Sequence, residues 1–343
     1  LKNKAPSDTS FTVTATGNYT WSQTNQTYNS SGVYKDTIQN TAGCDSILTL
    51  NLTIQSLPTV SINNGDSITL CEGDSVLLTT SSTNASSFEW RNLDSLRWRE
   101  VGNVGISASI SSSQSLAIDP YGIPHVAYQD LTNNGKTTVI KFDRGNWVTV
   151  GAAGFSAGPA TFQSLAIDAF GTPYVVYRDG TKGNKLSVMK FDGNTWVTVG
   201  ALGFSTGDAR DLSLAIDASG TPYVAFRDVP TGNKATLMKF DGTAWVTVGN
   251  AGFSSNDVYF TSLAINASGE PYVAYRDGVF QKATVMKFDG TSWVTVGSAG
   301  FSAGQTAYHS IAIDTAGSPY VAYSDNLNGN KTTVMKYDGT AWI

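Results

Sequence analysis

Charge is scarce in this chain. Only 14% of its 343 residues are Asp, Glu, Lys or Arg, and there are two histidines and two cysteines. The net charge is −5, from 22 basic and 27 acidic residues, and no run of Lys or Arg occurs. That balance excludes an electrostatic footprint for nucleic acid or for an anionic membrane surface. Cys44 and Cys71 are too few for a zinc site. Whether they pair stays open, because a disulfide needs a geometry that spacing does not reveal. No apolar run reaches membrane-spanning length, so no membrane insertion is expected, and no signal peptide stands at the start. No stretch joins helical apolar periodicity to caps. Glutamate almost vanishes from Trp98 onward, where only Glu100 and Glu270 remain. Phosphate loops and Ser/His/Asp sets are missing too, and neither a metal nor a cofactor is expected.

What is abundant is a repeat. Trp98, Trp147, Trp196, Trp245, Trp293 and Trp342 stand 49, 49, 49, 48 and 49 residues apart. Ser-Leu-Ala-Ile-Asp or a near copy follows from Ser115, Ser164, Ser213, Ser262 and Ser310. In the second copy, residues 164–168, 173–177, 186–191 and 196–199 alternate as strands should. Asp168-Ala-Phe-Gly171 and Asp192-Gly193 supply turn chemistry between them. One such unit cannot cover both its faces, so copies must shield one another. Four strands in 49 residues fit a blade of a β-propeller. The expected fold is all-β, with about five four-stranded blades. The chain starts at Leu1 and stops at Trp342-Ile343, two residues into what reads as a sixth copy, so an internal fragment of a longer protein is expected. Segment 98–102 and Trp342 compete to complete the blade that begins at Ser310.

Ala215-Ile-Asp-Ala-Ser-Gly220, Tyr223-Val-Ala225, Asn233-Lys234 and Phe240-Asp241 resemble NHL-type and related propeller repeats. The longer period and the added Trp-Val-Thr-Val-Gly strand are departures. Asp192-Gly-Asn-Thr-Trp196 is similar to the Asp-box of sialidase-type propellers, one residue short and without its leading serine. Before the repeats, Leu48, Leu50, Leu52 and Ile54 alternate with a two-residue period, which buries one face of a strand. Gly32-Val-Tyr-Lys-Asp-Thr37, Gly43-Cys-Asp-Ser46 and Leu70-Cys-Glu-Gly-Asp-Ser75 resemble the immunoglobulin-like modules of large secreted bacterial surface proteins. That resemblance implies an extracellular or cell-surface setting and nothing catalytic. The division expected is a partial module at 1–56, a truncated second module at 57–92, and the propeller at 93–343, with five complete repeats and the start of a sixth.

Functional candidates are positions where near-identical copies differ. Before each inner strand stand Ser113-Gln114, Phe162-Gln163, Asp211-Leu212, Phe260-Thr261 and Tyr308-His309. With Arg210 and Tyr259 beside them, these form a rim suited to a sugar or peptide, by stacking and hydrogen bonding; plugging of the channel mouth is the competing role. Arg178, Arg227 and Arg276 recur at one position and could offer guanidinium forks to a carboxylate. Each has an Asp beside it in sequence, so an inter-blade Arg–Asp ladder is the simpler expectation. His125 replaces a repeated tyrosine and reads as a packed strand residue, and His309 is a lone rim histidine. Asp168, Asp217 and Asp314 read as turn residues rather than calcium ligands. Lys141, Lys190, Lys239, Lys287 and Lys336 read as solvated strand-edge charges. The expected function is an extracellular, non-enzymatic binding or adhesion module for a glycan or surface protein. The alternatives are a sialidase-like or other carbohydrate-active enzyme and a purely structural stalk. A sialidase needs a tyrosine activated by glutamate, and the scarcity of glutamate disfavours it.

Overall fold

The computed structural model describes residues 8–16, 18–39, 45–55, 60–62, 80–82, 100–107 and 110–343. Cys44 and Cys71, the Leu70–Ser75 motif and Trp98 lie outside the described residues. The chain divides into two compact units, Leu1–Arg97 and Trp98–Ile343.

In the first unit, Asp45–Gln55 is the central strand of a three-stranded sheet. It pairs parallel with Thr9–Thr16 and antiparallel with Gly32–Gln39. A hairpin of Tyr19–Trp21 and Gln26–Tyr28 adds Trp21, which packs with Leu50 and Leu52 in a small core. The alternation from Leu48 to Ile54 thus buries one face. From the second segment the described pairing is Val60–Ile62 with Thr80–Ser82.

The second unit is a series of antiparallel meanders. Blade 1 consists of Ser111–Ile118, Pro124–Asp130, Lys136–Asp143 and Asn146–Thr149. Blade 2 consists of Ala160–Ile167, Pro173–Asp179, Lys185–Phe191 and Trp196–Thr198. Blade 3 runs from Ala209–Ile216 to Trp245–Thr247 and blade 4 from Val258–Ile265 to Trp293–Thr295, each with four strands. Blade 5 has Thr306–Ile313, Pro319–Asp325 and Lys331–Lys336. Its fourth strand is reduced to a bridge between Tyr337 and Trp342. Trp342 therefore finishes blade 5 instead of opening a sixth, because the sequence period begins at the strand where each sheet ends. It also takes the place that segment 98–102 was expected to contest.

The repeated tryptophan is a clamp between blades. The indole of Trp196 stacks on Phe155 at 4.0 Å and 8°, and its Nε1 donates to the carbonyl of Val150 at 2.8 Å. Trp245, Trp293 and Trp342 repeat this on Phe204, Phe253 and Phe301 and on Val199, Val248 and Val296. The glycine after each valine is required. At Gly200 (φ 70°) a Cβ would stand 2.9 Å from Phe240 and 3.0 Å from Trp245. Val101 serves Trp147 of blade 1 in the same way, at 2.7 Å.

Other repeated residues have structural posts. The Asp168 carboxylate accepts from the amides of Phe170 and Thr172, which is the turn role expected of it. Lys190, Lys239, Lys287 and Lys336 lie 5.1–6.0 Å from the ring centroids of Tyr174, Tyr223, Tyr272 and Tyr320, their cross-strand partners. They are cation–π partners rather than merely solvated edge charges. His125 is buried opposite Lys141, with Nδ1 3.1 Å from the carbonyl of Ile123.

Candidate functional site: an axial cavity

Each inner strand carries a bulge, between Ser112 and Ser115, Thr161 and Ser164, Arg210 and Ser213, Tyr259 and Ser262, and Ala307 and Ser310. Within it, Ser113, Phe162, Asp211, Phe260 and Tyr308 have φ between 51° and 56°. No glycine eases that left-handed conformation, which costs non-glycine residues roughly 1–2 kcal/mol each. Bulges re-aim side chains, and here they aim them at the axis. One cavity of about 420 Å³ is lined by Ser113, Gln114, Phe162, Gln163, Asp211, Leu212, Phe260, Thr261, Tyr308 and His309, two from every blade. In a straight stack with sheets about 10 Å apart, the first and fifth copies of one position would stand roughly 40 Å apart. A shared cavity requires the blades to curve around an axis.

Of the expected site residues, the structure brings Gln163, Asp211, Phe260, Tyr308 and His309 to this cavity. Arg227, Tyr259 and Arg276 form a layer behind it. Arg227 Nε lies 2.9 Å from Asp211 Oδ2, an ion pair whose N–H is not aligned for a hydrogen bond. Tyr259 is flanked by both guanidinium groups, at 4.8 Å from Arg227 and 4.6 Å from Arg276. Arg276 also lies 5.2 Å from the Phe260 ring. Arg178 and Arg210 stand apart from the cavity and share Asp208, at 2.7 and 3.0 Å. Though burial pulls the other way, these two cations hold the Asp208 carboxyl below its usual range.

The inter-blade ladder expected of these arginines and the aspartates beside them does not form. Asp179 instead accepts from Thr181 and the Ser187 hydroxyl, and Asp228 from the Thr236 hydroxyl. These aspartates are thus held by hydroxyls of their own blades and are not offered to an arginine of the next. Only the inter-blade character survives, since Arg178 belongs to blade 2 and Asp208 precedes the inner strand of blade 3.

The cavity wall is polar but poorly self-satisfied. Gln163 Nε2 donates to the carbonyl of Ala160 at 2.9 Å and leaves Oε1 free. His309 Nε2 shares a hydrogen bond with Thr306 Oγ1 at 2.9 Å and leaves Nδ1 free. Burial, then the Arg276 charge, pushes the His309 pKa down to about 4, so its ring is neutral near pH 7. Burial pushes the Asp211 carboxyl up, against the pull of Arg227. Thr261 Oγ1 donates to the carbonyl of Asp211 and ties two neighbouring spokes together. The rings of Phe260 and Tyr308 meet at 4.8 Å, and Tyr308 remains 75% exposed.

Phe162 tests whether the strained bulge serves function. It is 40% exposed, so truncating it forfeits about half of its apolar burial, roughly 1–2 kcal/mol. Glycine relieves a positive φ worth about as much. Phe162→Gly should therefore change stability by less than about 1 kcal/mol in urea unfolding and reduce ligand capture at the axis. A loss of more than about 2 kcal/mol would show that the bulge carries little strain to relieve.

Fold and site together define an arc of propeller blades around a polar, aromatic-rimmed cavity. No protein-family model and no curated protein matches the sequence. Solved structures similar to it include a mutant of the Aleuria aurantia lectin in complex with Fucα1-6GlcNAc, at 21% identity and a TM-score of 0.49 over 68% of this chain and 76% of that one. An ulvan lyase bound to a GlcA–Rha3S saccharide gives 15% and 0.46, over 66% and 69%. The Hadza microbial sialidase Hz136 gives 14% and 0.45, over 69% and 58%.

Proposed function

We propose that this chain is a non-enzymatic binding module that holds a glycan in the axial cavity. The carrying observation is where its unsatisfied polar atoms lie. Among the described residues, six buried side-chain atoms have no aligned hydrogen-bond partner. Gln163 Oε1, Asp211 Oδ2 and His309 Nδ1 belong to cavity-lining residues, Arg227 Nε and Arg276 Nε to the layer behind, and only Asp228 Oδ1 lies elsewhere. Asp211 Oδ2 and Arg227 Nε face each other as an ion pair at 2.9 Å. The others, left without a partner, cost about 1–3 kcal/mol each. Of these, Gln163 Oε1 and His309 Nδ1 stand at the cavity wall, which marks a site that expects polar company. Sugar hydroxyls both donate and accept, which suits this mixed set. Phe162, Phe260 and Tyr308 offer apolar faces for the C–H side of a pyranose.

The same chemistry disfavours catalysis. Glycoside hydrolysis ordinarily needs two carboxylates across the scissile bond, and the only carboxylate lining the cavity is Asp211, already set against Arg227. Glu270 is engaged by Asn266 at 2.6 Å and by Lys287 at 3.4 Å, in the turn between the first two strands of blade 4. Display outside the cell, on the preceding modules, belongs to the same reading; among the described residues no helix is long and apolar enough to cross a membrane.

A glycan array probed with the chain should give binding that Tyr308→Ala and Gln163→Ala each weaken about tenfold, the loss expected from one stacking or polar contact. Silence across the array, or binding indifferent to both substitutions, would sink the proposal. Turnover of acidic sugars that disappears in Arg227→Ala would replace it with an enzyme.

A further inference from the structure

Arg178, Arg227 and Arg276 hold one repeat position, near the end of the second strand in blades 2, 3 and 4. Two of them are neutralised. Arg178 meets Asp208 at 2.7 Å, and Arg227 meets Asp211 at 2.9 Å. Those carboxylates come from two places. Asp208 directly precedes the inner strand of the next blade, and Asp211 lies in the bulge of the same blade.

For Arg276 both places are neutral. The carbonyl of Asp208 accepts from the amide of Val229, and that of Gln305 from the amide of Asn326 in the same repeat position, so Gln305 is the counterpart of Asp208 in blade 5. The counterpart of Asp211 in blade 4 is Phe260, whose ring stands 5.2 Å from the Arg276 guanidinium. Among the described residues Arg276 has neither an ion-pair nor a hydrogen-bond partner. Its Nε is buried, while the side chain as a whole stays partly open. Tyr259 and Phe260 attract the cation through their ring faces but bring no counter-charge.

That charge reaches the cavity, because it is felt at His309 and Asp211, both in its wall. Asp211 is set against Arg227 and His309 is neutral near pH 7, so the site carries an uncompensated positive charge. A partly buried cation without a counter-ion is costly. An anion supplied from outside would complete it.

We propose that the glycan held in the axial cavity is acidic and that Arg276 receives its carboxylate. This rests on the reading of the cavity as a glycan site and adds the class of sugar. A planar guanidinium matches a carboxylate through parallel N–H···O bonds. The hydroxyls of the sugar remain for Gln163 Oε1 and His309 Nδ1, the free atoms of the wall.

A glycan array carrying each carboxylated saccharide beside its methyl ester, with sulfated saccharides as a separate arm, tests this. The wild-type chain should bind the carboxylated member of a pair about tenfold more tightly than its ester, the worth of a charge-assisted contact. Arg276→Gln should erase that difference and leave binding of the ester as it was. Gln305→Asp, at an exposed position, gives Arg276 the kind of partner that Arg178 has in Asp208. It should erase the difference too, with the wild-type melting profile. Esters bound as tightly as acids, still dependent on Tyr308 and Gln163, would remove the acidic sugar and keep the glycan site. Silence across the array would remove both. The inference is also overturned by an answer from the sulfated arm alone. An acid preference that survives Arg276→Gln, or Gln305→Asp should Arg276→Gln fail to fold, overturns it as well.

Discussion

Trp245→Ala should lower stability by about 4 kcal/mol, the upper part of the range for deleting a large aromatic from a packed interior. The indole is buried at the seam of blades 2 and 3, among Leu214, Val199 and Phe226. It stacks on Phe204 at 4.3 Å and 10°. Part of that loss, about 1–3 kcal/mol, comes from stranding the Val199 carbonyl, which accepts from Nε1 at 2.8 Å inside the seam. Trp245→Phe separates these parts. It keeps an aromatic stack and loses the donor, so about 1–2 kcal/mol is expected.

The location matters as much as the size. An array held by nearest-neighbour interfaces loses cooperativity where one interface is cut. Urea unfolding followed by far-UV circular dichroism should therefore split into two transitions in Trp245→Ala, with blades on either side of the seam melting separately. Trp147→Ala is the control. That indole is only half-buried and its bond to Val101 is exposed, so the loss should be about half as large, in one transition. A Trp245→Ala chain with a single transition shifted by less than about 1 kcal/mol would show that blades are held by something other than the clamp.

These clamps explain how much of the fold was legible. The period, the four strands and the turns could be read because each depends on residues close in sequence: residues 173–177 were expected as a strand and Pro173–Asp179 forms one. What each tryptophan grips could not be read, since its acceptor carbonyl lies 45 or 46 residues earlier. The ten rim positions were visible through their divergence between copies, and all ten line one cavity. The reason was hidden. Phe162, Phe260 and Tyr308 have side chains that argue against a positive φ, so nothing local announces the bulge that turns them inward. The arginine partners were misread because Asp179 and Asp228 are taken up by hydroxyls of their own blades, Ser187 and Thr236, which repetition in sequence does not reveal. Asp208 and Asp211, which do pair with arginines, sit in or beside the loop from the preceding blade and stand out only through their variability.

Lowering pH should weaken the fold through His309, by about 3 kcal/mol in total. The ring is buried between Thr306 and Tyr323 and close enough to Arg276 to feel its charge. Burial first and Arg276 second depress its pKa from 6.5 to about 4. Above about pH 6.5 the imidazole is neutral in both folded and unfolded chains, and its burial carries no ionisation penalty. Between 6.5 and about 4 the unfolded chain binds the proton first, so stability falls as pH falls. Below about 4 the folded state is protonated as well and the loss levels off. At 1.36 kcal/mol per pKa unit, a depression from 6.5 to about 4 gives the total of about 3 kcal/mol. Asp211 acts in the opposite sense, because its raised pKa eases the cost of its burial as pH falls. The informative quantity is therefore the difference between the wild type and His309→Gln, which keeps a polar side chain beside Thr306 and cannot titrate. Urea unfolding of both chains between pH 7.5 and 4 should show the wild type losing stability faster, with the gap opening near pH 6. Parallel curves would mean that His309 is hydrated in solution, and the cavity wall would then be more open to water than its burial indicates.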